Sequence, residues 1–159
     1  MWHRQGVGRL CEGAGVTRYG MLLAAMAGSV GAAPALQPQP LLMGLEGLRS
    51  GKGQILVCVT RSPAHFPDCS HDPDKRHFAV PASAAPVGLG QLAPGIYAIA
   101  IIHDENGNGK LDTFSGIPRE GVGFSRNPAI RFGAPSFRSA SFSVGGGEVE
   151  QDIRLKYFL

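Results

Sequence analysis

Three stretches of this chain change face at every residue, and that period of two limits the fold more than any other feature. In QILVCVT (54–60), Ile55, Val57 and Val59 fall on one side, Leu56 and Cys58 on the other. In GIYAIAIIH (95–103), Tyr97, Ile99 and Ile101 stand opposite Ile96, Ala98, Ala100 and Ile102, so both sides are apolar. In VEQDIRLKYFL (149–159), Ile153, Leu155 and Tyr157 alternate with Asp152, Arg154 and Lys156. Side chains of an extended strand point to opposite faces in turn, whereas a helix repeats about every 3.6 residues. A strand apolar on both sides needs cover on both, which places GIYAIAIIH centrally.

Shorter candidates are LMGLEGL (42–48), RHFAV (76–80), PVGLGQL (86–92) and SASFSVG (139–145), separated by the turn signals RSGKG, HDPDK, APG and GGGE. Gly (23) and Pro (12) exceed a fifth of the 159 residues, which suits short strands joined by many turns. The expected architecture is all-β, one antiparallel β-sandwich of about seven strands over residues 42–159. The Pro-Gly turn feeding an aromatic strand in QLAPGIYAIA resembles immunoglobulin-like and prealbumin-like modules.

The amino terminus reads differently. YGMLLAAMAGSVGAA (19–33) is an apolar, small-residue run behind Arg18, followed by cleavage-type residues near Gly31, Ala33 and Ala35. A proline-rich linker, 36–41, comes next. That is the layout of a secretory signal peptide over residues 1–35, and the run is too short for a membrane span of about 20 apolar residues. The long leader with Glu12 suggests a true start near Val16. Without 1–35 the chain keeps 12 Lys+Arg against 11 Asp+Glu, a net charge of +1. So near-neutral a domain offers no general attraction for nucleic acid. A periplasmic or secreted location is expected.

Cys11 leaves with the leader, and the remaining pair, Cys58 and Cys69, suits a disulfide in an oxidising compartment. Closing so short a loop stabilises by about 2–3 kcal/mol.

The chemistry concentrates in HDENGNGKLDT (103–113). Aligned with a calcium loop, Asp104, Asn106, Asn108, Lys110 (through its carbonyl) and Asp112 take ligand positions, and Gly109 the sharp bend. Ser115 stands where a bidentate Glu is expected; Glu120 could replace it only if the chain folds back. Asn-Gly steps equally specify a tight loop without metal. Downstream, Phe124, Phe132 and Phe137 interleave with Arg119, Arg126, Arg131 and Arg138. One reading is a ligand rim, in which His103, Asp104, Glu120, Phe124, Arg126 and Asn127 contact a small-molecule, glycan or envelope-protein ligand. The other is an ordered connection whose phenylalanines plug the fold.

HDENGNGKLDT, GIPREGVGFSRN and PSF with SASFSV together resemble a bacterial exported family catalogued as domain of unknown function 2141. The resemblance spans about residues 42–159 and implies an exported β-sandwich; it brings no substrate and no catalytic residues. The expected function is an envelope binding or structural module, with calcium or a small ligand at the 103–113 loop. The alternatives are an envelope hydrolase using His103, Asp104 and Glu120, and a subunit of a surface assembly. No nucleophile motif supports catalysis.

Overall fold

The computed structural model describes residues 37–82 and 86–159, which fall in one compact unit. The expected signal peptide over 1–35 and the Val16 start lie outside the described residues. Among the described residues ten strands and one short helix follow in order: β1 (Gln39–Glu46), β2 (Gln54–Thr60), β3 (Arg76–Pro81), β4 (Val87–Leu92), β5 (Gly95–Asp104), β6 (Thr113–Phe114), β7 (Ile117–Pro118), β8 (Gly121–Phe124), α1 (Phe137–Ala140), β9 (Phe142–Val144) and β10 (Val149–Arg154). The chain is all-β, as its periodicity demands. Among the described residues no helix is long and apolar enough to cross a membrane.

One sheet has the order β10-β1-β4 and the other β3-β2-β5-β8, with β9 also pairing the start of β5; β6 and β7 form a separate hairpin. The pairing departs from the expected antiparallel pattern at one place. β1 runs parallel to β10, with Leu41 opposite Val149 and Glu46 opposite Arg154. β1 also begins inside the stretch read as a linker, because Leu41 is buried and Gln39 already pairs with Leu92.

β5 is central, between β2 and β8. Tyr97, Ile99 and Ile101 join the main core, which draws Leu41 and Met43 from β1, Leu89 and Leu92 from β4, and Ile153 from β10. Ile55, Val57 and Val59 of β2, Phe142 and Val144 of β9, and Ala82 and Leu155 join it. Each such side chain, fully buried, stabilises by about 1.5–3 kcal/mol, and Ile101→Ala would cost about 2–5 kcal/mol. The opposite face of β5 is smaller: Ala98 and Ala100 pack with Val122, Phe124 and Ala140. Both faces are therefore covered.

β8, GVGF, carries no alternation that would mark it as a strand. A Cβ on Gly121 would sit 2.5 Å from the Tyr157 ring, and one on Gly123 would sit 2.7 Å from Ile153. Glycine lets this strand slide under large side chains, and the same glycines hide it from a propensity reading. Cys58 on β2 and Cys69 form the expected disulfide, with Cα atoms 6.4 Å apart.

Candidate functional site

β5 ends on two polar residues as buried as the core: His103 and Asp104 are both 0% exposed. A buried carboxylate is tolerable only when its oxygens are matched by donors. Asp104 Oδ1 accepts the Asn108 amide at 3.1 Å, and Oδ2 accepts the Gly109 amide at 2.8 Å and the Gln54 side chain at 2.9 Å. Burial alone would raise its pKa, but the donors from Gln54, Gly109, Asn108 and Gly107 outweigh it and hold the carboxyl below its ordinary value. Around this anchor the loop closes on itself. Asn106 Oδ1 accepts the Asn108 amide at 3.0 Å, and Asn108 Oδ1 accepts the Lys110 amide at 3.0 Å. Both side-chain amides donate to Asp112 Oδ2, at 2.7 and 2.9 Å.

The chain then folds back. β6 and β7 pair across Ser115 and Gly116, whose φ values of 50° and 78° are both left-handed, as a two-residue type I′ hairpin requires. The return brings the Arg119 amide to the Asp112 carbonyl at 2.9 Å, and the Glu120 Oε2 accepts the Asp112 amide at 3.0 Å. Ser115, at calcium-loop position twelve, sits on the exposed hairpin tip, and Glu120 supplies the carboxylate beside the loop.

Glu120 is only 4% exposed, and its Oε1 is buried without a hydrogen-bond partner. Burial pushes its pKa up; the Asp112 and Glu105 amides oppose this, while the charges of Asp104 and Asp112 push it further up. Glu105, next to it in space, behaves in the opposite way. Arg49 forks onto Glu105 Oε2 and Ser50 donates to Oε1 at 2.7 Å, holding this carboxyl down at about 2. Arg49, Glu105, Asn106, Asp112, Arg119 and Glu120 line an open groove of about 400 Å³.

His103 faces away from that groove. Its Nε2 lies 2.8 Å from the Lys52 carbonyl, which can only accept, so Nε2 carries a proton. Nδ1 lies 2.6 Å from the Tyr157 hydroxyl, which in turn accepts the Arg49 amide at 3.3 Å. The Arg49 guanidinium stacks 4.4 Å above the Tyr157 ring and also donates to the carbonyls of Leu159 and Arg119. Histidine, tyrosine and arginine thus lock the 47–53 connection and the last residues of the chain onto the base of the loop. Arg49, Ser50, Lys52, Gln54 and Tyr157 were not legible as site residues, because each lies about fifty residues from the loop in sequence.

The structure scatters the remaining candidate ligand residues. Phe124 packs edge-on against Phe66, with centroids 5.8 Å apart, inside the smaller core rather than on a rim. Arg126 donates to the Ser141 carbonyl at 3.1 Å and borders a different open groove beside Ile96 and Phe142. Asn127 is bound at both ends to β10, donating to the Asp152 carbonyl at 2.7 Å and accepting the Arg154 amide at 2.8 Å. None of the three lines the groove at Glu120. Among the described residues no three His, Cys, Asp or Glu side chains converge as a ready metal cluster.

The family model of uncharacterized proteins conserved in bacteria, DUF2141, matches residues 44–152. The chain belongs to this family. The match takes in the whole 103–113 loop, the returning hairpin and Glu120, and stops inside β10. No curated protein and no solved structure matches the chain.

Proposed function

We propose that this DUF2141 domain is an exported, envelope-associated binding and structural module, built as a β-sandwich of the immunoglobulin-like or prealbumin-like kind. A main core fed by both sheets supports the sandwich, and the Cys58–Cys69 bridge suits an oxidising compartment. The working surface is the groove where the 103–113 loop meets the returning 116–120 segment. Its ligand is a small molecule, a glycan or an envelope protein.

The observation that carries this reading is the groove's unequal chemistry. Arg49 and Glu105 neutralise one another on one side, while Glu120 on the other keeps an unmatched buried oxygen. Native folds rarely leave such a group without a use. His103 and Asp104 spend their hydrogen bonds inward and lie outside the groove lining, which favours binding over hydrolysis.

The test uses the full chain in its host, with a photo-crosslinking residue at Asn106 in the groove or at the exposed Glu150 of β10. The expected result is release of the chain by osmotic shock, Cys58 and Cys69 protected from alkylation, and an envelope adduct from position 106 alone. Retention in the cytoplasm with both thiols free, or equal adducts from both positions, would overturn the reading.

A further inference from the structure

We infer that the groove holds a divalent cation of the calcium class, with Glu120 standing in for the carboxylate that the loop lacks at position twelve. This rests on the groove reading above and adds a metal ion to that surface.

A hard cation of this size takes six to eight oxygens, drawn from carboxylates, amide side chains, backbone carbonyls and water. The loop carries them in the right order, but a loop alone would be only a turn. The decisive feature is Glu120. It reaches the loop from outside, through the β6–β7 hairpin, and its Oε2 is already bound to the backbone of Asp112. Its Oε1 is buried with no partner. A carboxylate taken that far out of water needs its oxygens matched by donors or a cation; the Asp112 amide serves Oε2 and the Glu105 amide acts on the group, yet Oε1 has no hydrogen-bond partner. Asp112, whose Oδ2 now takes both asparagine amides, is the second carboxylate. The Asn106 and Asn108 side-chain oxygens stay on the Asn108 and Lys110 amides at 3.0 Å, so these residues shape the loop and water supplies the remaining ligands. The Lys110 carbonyl adds a backbone oxygen. Asp104, saturated by Gln54 and the loop amides, shapes the bend from beneath. With few charged ligands, affinity falls in the range of extracellular modules, a Kd of about 10⁻⁴–10⁻³ M.

The test is thermal melting and calorimetry of the full chain, stripped with chelator and titrated with CaCl₂ or MgCl₂. In 10 mM CaCl₂ the wild type should gain about 4–10 °C in Tm, with a smaller gain in MgCl₂, which gives up its waters reluctantly. Glu120→Gln should melt slightly higher than wild type in chelator, because it removes an unmatched charge, yet show no calcium shift. The two opposite signs separate a ligand from a merely structural residue. Absence of heat and shift in the wild type, an undiminished calcium shift in Glu120→Gln, or an equal magnesium shift would each overturn the assignment. A failure here alongside an adduct confined to position 106 would leave the groove reading standing.

Discussion

The segments 103–120 and 124–138 both lie largely outside the two main sheets, and both carried candidate residues on sequence. They are built in opposite ways. The first sinks polar groups: Asp104 and Glu120 are buried, and its side chains bond to its own backbone. The second sinks apolar groups and one fully matched hydroxyl: Phe124 and Phe137 each meet Phe66 edge-on, buried Ser125 bonds to Ile99 and Ala140, and the Asn127 side chain is fastened to β10. Buried apolar groups are the default outcome of folding, whereas buried polar groups need a reason. Burial of an unmatched carboxylate therefore separates the proposed working loop from a plug.

The largest effect expected from that contrast is in the plug. Phe124→Ala should destabilise by about 3–5 kcal/mol in denaturant unfolding and leave the response to calcium unchanged. Asn127→Ala removes two hydrogen bonds to β10 at a residue with a φ of 49°. It should cost about 1–2 kcal/mol, again without effect on the groove. A binding defect in either variant that exceeded its loss of stability would break the distinction.

Smaller effects come from the two glutamates, measured in chelator by melting across pH. Glu105 is held at about 2 against an ordinary 4.5, so its contribution is present above about pH 4.5 and fades as pH falls toward 2. Glu105→Gln should therefore lose most stability at neutral pH and least in acid. Glu120 is shifted the other way, so its contribution is present below its ordinary value and lost as pH rises through the raised one. Glu120→Gln should stabilise at neutral pH and become neutral in acid. Curves of the same sign for both variants would contradict the opposed environments described. The smallest effect belongs to Phe132, fully exposed in the second segment, where alanine should change stability by no more than about 0.5 kcal/mol.

Much of the fold was legible. Each of the seven stretches picked out by alternation or turn punctuation contains a strand, since burial of one face forces a period of two. β8 was hidden because Gly121 and Gly123 make room for Tyr157 and Ile153, and glycine carries no pattern. The parallel β1–β10 pairing was hidden because periodicity marks strands without naming partners. In the candidate loop, the spacing singled out Asp104, Asn106, Asn108 and Asp112, which the structure joins in one hydrogen-bonded turn. Glu120 was readable only with the hairpin: Ser115-Gly116 between Phe114 and Ile117 signals a two-residue turn that reverses the chain. Phe124, Arg126 and Asn127 were grouped with the site because aromatic and basic residues suggest a rim; the backbone geometry of β8 and β10 spreads them elsewhere.

The contrast between the two segments can be tested in one titration of the ¹⁵N-labelled full chain with CaCl₂, followed amide by amide. Shifts are expected at Asn108, Gly109, Asp112 and Glu120, with Asn127 to Arg138 unmoved. Shifts concentrated in that second stretch, or a spectrum unchanged throughout, would contradict the account.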